Sequence, residues 1–130
     1  MVNGDEERIE RIRALTAQIE RLRNEAARLL NLAEERRAAR LIELERKTKS
    51  NLVIAARYTP GGIDLRKGVP EIFRSRQALG VPRVREIDAA WRRGVNKIDA
   101  DFRIEEGDIK RAHEDAITKI QNKIRTIAST

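Results

Sequence analysis

Residues 12–33 read IRALTAQIERLRNEAARLLNLA, and their spacing decides the fold. Ile12, Leu15, Ile19, Leu22, Ala26, Leu29 and Ala33 recur at alternating steps of three and four. A strand would alternate at two. Steps of three and four lay one apolar stripe along a helix and match the a and d positions of a coiled-coil seam over three heptads.

Working outward, Asn3 and Asp5 are candidate N-caps, and Glu6 and Glu7 set negative charge against the positive end of the helix dipole. Beyond Ala33 the strict heptad positions fall on Arg36 and Arg40, and the stripe steps to Leu30, Arg37, Leu41 and Leu44. Such a slip marks a stutter or a change of partner. From Asp5 to Lys49 alone, such a helix runs roughly 65 Å at about 1.5 Å per residue. Neither proline nor glycine interrupts the chain between Asp5 and Tyr58. Ser50-Asn51 is a candidate kink, because both side chains compete for backbone hydrogen bonds; Leu52, Val53 and Ile54 are read as further helix. Thr59-Pro60-Gly61-Gly62 then stops it.

Pro70 sits where helices begin, and Glu71–Leu79 reads as a short helix closed by Gly80. Pro82 opens a second long stripe through Val84, Ile87, Trp91, Val95, Ile98 and Phe102, and on from Ile109 to Ile127. Gly107-Asp108 is its expected break. No internal repeat or low-complexity segment is evident. The expectation is an all-α, long antiparallel helical hairpin, coiled-coil-like, with an elaborated turn containing a short helix. It forms a single domain over residues 1–130: helix about 5–57, loop and short helix 58–82, helix about 83–128.

Charge supports antiparallel pairing. Residues 1–10 carry a net −3 and residues 119–130 a net +3. Residues 98–118 carry −4, and their expected counterpart near 12–32 is basic. Glu7 is therefore expected near Lys123, and Arg21 or Arg23 near Glu105. Exposed pairs add little stability each, but a pattern of them selects orientation. Residues 66–97 are different. Arg66, Lys67, Arg74, Arg76, Arg83, Arg85, Arg92, Arg93 and Lys97 face only Glu71, Glu86 and Asp88, a net of +6 out of +7 for the chain. That set is the candidate anion or nucleic-acid surface.

Other chemistry finds no support. The only histidine, His113, stands beside Glu114 and Asp115 outside any metal-ligand spacing and reads as a surface or seam residue. Glu105, Glu106 and Asp108 read as capping and dipole chemistry rather than a cation site. Gly61-Gly62 has no Gly-Lys-Ser/Thr after it, so it is a turn, not a phosphate loop. Cysteine is absent, which excludes disulfides. No catalytic, cofactor-binding or metal-binding residue is assigned, and no small-molecule substrate is expected.

The sequence opens MVNGDEERIER without an apolar segment, and nothing approaches the roughly 18–20 apolar residues of a membrane span. A cytoplasmic location, or one within an intracellularly assembled particle, is the expectation. Aromatics are 3% of the chain, so aliphatic side chains must build narrow helix–helix seams. The expected protein interface is Ile12, Leu15, Ile19, Leu22, Leu29, Leu41, Leu44, Trp91, Val95, Ile98 and Phe102. Two thin helices leave Leu30, Leu32, Leu41, Ile42 and Leu44 uncovered, which calls for a partner. The role expected is non-enzymatic: a structural, assembly or scaffolding protein that self-associates or joins a larger assembly such as a phage particle. The alternative is sequence-indifferent nucleic-acid binding through the basic residues at 66–97.

Overall fold

The computed structural model describes residues 4–58, 62–74 and 82–129. Their elements are α1 (Gly4–Ala56), α2 (Val69–Arg74) and α3 (Pro82–Ser129), and no strand occurs among the described residues. The long helices pack antiparallel: His113 faces Glu25, Asp99 meets Arg37, and Gly94 lies against Leu44. With α2 in the turn, this is the all-α hairpin the two stripes imply. No described helix is long and apolar enough to cross a membrane.

Two expected interruptions do not occur. Thr48 and Ser50 donate their hydroxyls to the carbonyls of Leu44 and Arg46, at 2.7 and 3.1 Å. Their competing polar groups are thereby satisfied inside the helix, and α1 runs unbroken through Asn51. At Gly107, Arg111 Nε donates to the glycine carbonyl at 3.3 Å and Nη2 to Asp108 Oδ1 at 2.9 Å. Gly107 costs helix propensity there without ending α3.

α2 starts two residues earlier than the spacing implies, with Pro70 in its first turn, where a missing N–H costs nothing. The backbone N–H groups of Glu71 and Ile72 both donate to the Gly68 carbonyl, at 3.0 and 3.1 Å. The expected stop at Gly80 lies outside the described residues, as do Thr59, Pro60 and Gly61; Gly62 takes a left-handed φ of +70°, which glycine adopts without penalty.

The covered positions carry a repeat that the heptad reading misses. Along α1, Leu15, Ala26, Arg37 and Thr48 are each half-buried or buried, and so are Ile19, Leu30, Leu41 and Leu52, and Leu22, Ala33, Leu44 and Ala55. Each set steps by eleven. Along α3 the same step joins Ile87, Ile98, Ile109 and Ile120, and Trp91, Phe102, His113 and Ile124. Eleven residues make about three turns at 3.67 residues per turn. The apparent slip after Ala33 is thus the regular phase of this longer repeat. Leu30, Leu41 and Leu44 belong to the seam rather than to an uncovered face; Leu32 and Ile42 do stand exposed, at 40% and 68%.

The chain divides into two compact units, Glu35–Phe102 and the residues flanking it. Within Glu35–Phe102, Leu52 and Ala55 of α1, Val69, Ile72 and Phe73 of α2, and Val84 of α3 form one buried cluster. Ile63, Leu65, Ile87 and Trp91 pack on its edge. A fully buried aliphatic of this size contributes about 1.5–3 kcal/mol. In the flanking unit only Ile19 and Ala33 are buried among the described residues. The other seam aliphatics there, Leu15, Leu22 and Ile120 among them, are half-covered.

Candidate interaction surfaces

The expected interface residues all lie on the seam. Ile19 and Ile98 are buried, and Ile12, Leu15, Leu22, Leu29, Leu41, Leu44, Trp91, Val95 and Phe102 are half-buried. None is fully exposed. Arg37, a poor seam residue by polarity, is accommodated by chemistry on α3. Its Nε and Nη2 reach Asp99 Oδ1 at 2.9 and 2.8 Å, and its guanidinium lies 5.2 Å from the centre of the Phe102 ring. A carboxylate and a π face together suit a planar cation at a half-buried position. Arg40 Nη1 pairs with Asp101 at 3.0 Å in the same way.

These pairs correct the expected register. With Glu25 beside His113 and Leu22 lining one groove with Ile120, residues 12–32 lie opposite roughly residues 106–126, not 98–118. Lys123 therefore comes opposite the neighbourhood of Leu15 rather than Glu7, and Arg21 and Arg23 lie far from Glu105. The displacement is about eight residues, or roughly 12 Å of helix. Solvent-exposed charge blocks are too weakly coupled to position a seam that side-chain packing determines. Gly94 shows the packing constraint directly: a Cβ there would meet Leu44 Cδ2 at 2.7 Å and Cδ1 at 2.9 Å.

The flanking unit contains 12 Lys and Arg against 12 Asp and Glu, so it is neutral. Glu35–Phe102 contains 16 against nine and holds the whole net charge of +7. The basic set does not form one stripe. At about 100° per residue, Arg85 and Arg92 fall on one flank of the α3 seam, Arg83 and Lys97 on the other, and Arg93 at its back. Arg76 lies outside the described residues. Arg66 and Arg92 are among the members already engaged. Arg66 donates Nε and its backbone N–H to Asp64 Oδ1, both at 3.1 Å, and Arg92 Nε donates to Asp88 at 3.0 Å. The Arg66 guanidinium, helped by that backbone N–H, holds the Asp64 carboxyl below its ordinary value. Arg46 does the same to Glu43 through a hydrogen bond.

His113 is a seam residue. Its Nδ1–H donates to the Ile109 carbonyl at 2.8 Å, and Nε2 stands 3.7 Å from Glu25. Among the described residues no cluster of three His, Asp or Glu could hold a metal ion.

Two grooves stand out. In the flanking unit an apolar one of about 250 Å³ runs past Ala26, Ala27, Leu30, His113 and Ile117. In Glu35–Phe102 a smaller one of about 160 Å³ is lined by Pro70, Phe73, Arg74, Asp88, Trp91 and Arg92. Helical periodicity finds Trp91 on the seam, but Pro70, Phe73 and Arg74 reach this groove through the turn, and no local spacing announces that. No protein-family model, curated protein or solved structure matches the chain.

Proposed function

We propose that the protein is a non-enzymatic assembly component that works by helix–helix contact, through self-association or docking onto a larger assembly. The observation that carries this reading is the half-covered seam of the neutral unit. There two helices present a continuous aliphatic row, and only Ile19 and Ala33 are fully withdrawn from water among the described residues. Two long helices bury one face of each other at most, and such pairs gain stability when further helices close the bundle. Leu32 and Ile104, exposed by 40% and 62%, add apolar surface away from the seam itself. The neutrality of this unit removes the repulsion that a strongly charged stem would oppose to a second copy.

Sedimentation over a micromolar concentration range tests it. The expected species is larger than one chain, and Leu32→Glu with Ile104→Glu, both at exposed positions, should shift it toward the monomer while the helical circular dichroism signal persists. A fully helical monomer that stays monomeric, with no partner in its native source, contradicts the reading.

A second reading concerns Glu35–Phe102, and its support is that this unit holds the entire charge excess. A polyanion bound there releases roughly one counterion for each phosphate neutralised, so binding should weaken steeply with salt. Binding that is indifferent to salt would contradict it.

A further inference from the structure

We infer that the groove between α2 and the first turns of α3 is a stacking site for single-stranded nucleic acid. This rests on the polyanion reading and gives it a specific place and ligand.

Pro70 and Phe73 come from α2, and Asp88, Trp91 and Arg92 from α3, so the groove joins two elements of one unit. Trp91 packs on the edge of the buried cluster, is only partly covered, and lines the groove. The groove measures about 160 Å³ and is open to solvent on one side, so a base of either size can rest in it without being enclosed.

The polar rim matches a base that carries phosphates on either side. Arg74 is exposed and pairs with no described residue. Arg92 commits only Nε to Asp88, and its side chain is 73% exposed, which leaves its terminal nitrogens for a phosphate. Asp88, 14% exposed, would repel that phosphate if bare; the Arg92 pairing neutralises it.

Stacking on an aromatic face with cations alongside is the common mode of single-strand binding. A duplex hides the faces of its bases, and an acidic peptide has no need of a tryptophan. The inference therefore favours the single strand over either.

The chain has one tryptophan, so its fluorescence reports on this groove alone. The full-length protein is titrated with oligo(dT), with oligo(dA) of equal length, with a mixed-sequence duplex and with inorganic polyphosphate. Oligo(dT) and oligo(dA) should both quench Trp91, while duplex and polyphosphate bind without quenching. Anisotropy of labelled oligo(dT) then compares variants. Trp91→Leu should weaken binding at least about five-fold, the lower end for one stacked base, and Trp91→Phe should restore most of it. Arg74→Gln with Arg92→Gln, which leaves the cluster intact, should lower the dependence on salt by roughly two counterions. Binding of all four polyanions with Trp91 unmoved overturns the groove and spares the polyanion reading. Equal quenching by duplex or polyphosphate also overturns the groove. Failure of every polyanion to bind overturns both.

Discussion

The two units use the same pair of helices and the same eleven-residue spacing, yet they reach different ends. In Glu35–Phe102 a third element, the six residues of α2, inserts Val69, Ile72 and Phe73 against α1 and α3 and closes a core. In the flanking unit no third element is present among the described residues, and the aliphatic row stays half open. Charge divides along the same line, +7 against zero. A two-helix seam is thus not a core until something small covers it. The unit that has its cover carries the whole net charge, and the unit without one is neutral.

The comparison breaks most visibly in binding. Replacing Arg74, Arg83, Arg92 and Arg93 with glutamine should weaken polyanion affinity about 100-fold or more at low salt, because each lost contact also forfeits counterion release. Glutamine at Arg13, Arg21, Arg23 and Arg28 in the neutral unit should leave affinity nearly unchanged. Equal losses from the two sets would mean that the division of charge has no functional meaning.

The next largest contrast is in stability. Leu52 is fully buried, and Leu52→Ala should cost about 3 kcal/mol in urea denaturation. Leu22 is half-buried, and Leu22→Ala should cost about 1 kcal/mol in the isolated chain, where its cavity is already open to water. If the two losses are alike, the flanking unit is better covered than its surface implies.

The mid-helix glycines sharpen the point with opposite signs. Gly94→Ala gains helix propensity but drives a methyl into Leu44, and overpacking of about 1–3 kcal/mol outweighs a gain near 1 kcal/mol. Gly107 has nothing closer than Arg111 Nη2 at 3.9 Å, so Gly107→Ala should stabilise by up to about 0.8 kcal/mol. Thermal melting of both variants decides it, and a stabilised Gly94→Ala would show that Leu44 yields freely.

The smallest effect is acid-dependent. The Asp64 carboxyl is held low by Arg66, so the support it lends is present above the ordinary carboxylate range and lost as pH falls through the lowered value. The pair is fully solvated, and the change in stability should be slight. A carboxyl titration by NMR should place Asp64 below a free aspartate, and an ordinary midpoint would remove the pairing.

Legibility followed the range of the physics. The spans of the two long helices were readable to within one residue because stripes, prolines and caps act locally. The register was not, since it depends on close contacts such as Gly94 against Leu44, while the charge blocks used to align the arms lie largely in solvent. The eleven-residue repeat was hidden because its first members, Leu15, Ile19, Leu22 and Ala26, also satisfy a heptad; Leu30, Arg37, Leu41, Leu44, Thr48, Leu52 and Ala55, at covered positions off the heptad, separate the two. The cluster under α2 was missed because Ile63, Leu65, Val69, Ile72 and Phe73 have no common period and meet only after the chain turns. Half of the groove around Trp91 was invisible on the same account.

The eleven-residue repeat makes arm length an adjustable quantity. Excising eleven residues from α1, together with the eleven opposite them on α3, returns every remaining seam side chain to its own angular phase, about 16 Å nearer the turn. Excising seven would leave the rest of each helix about 30° out of phase. The arms of such a chain can change length in whole modules of about three turns while each seam keeps its phase.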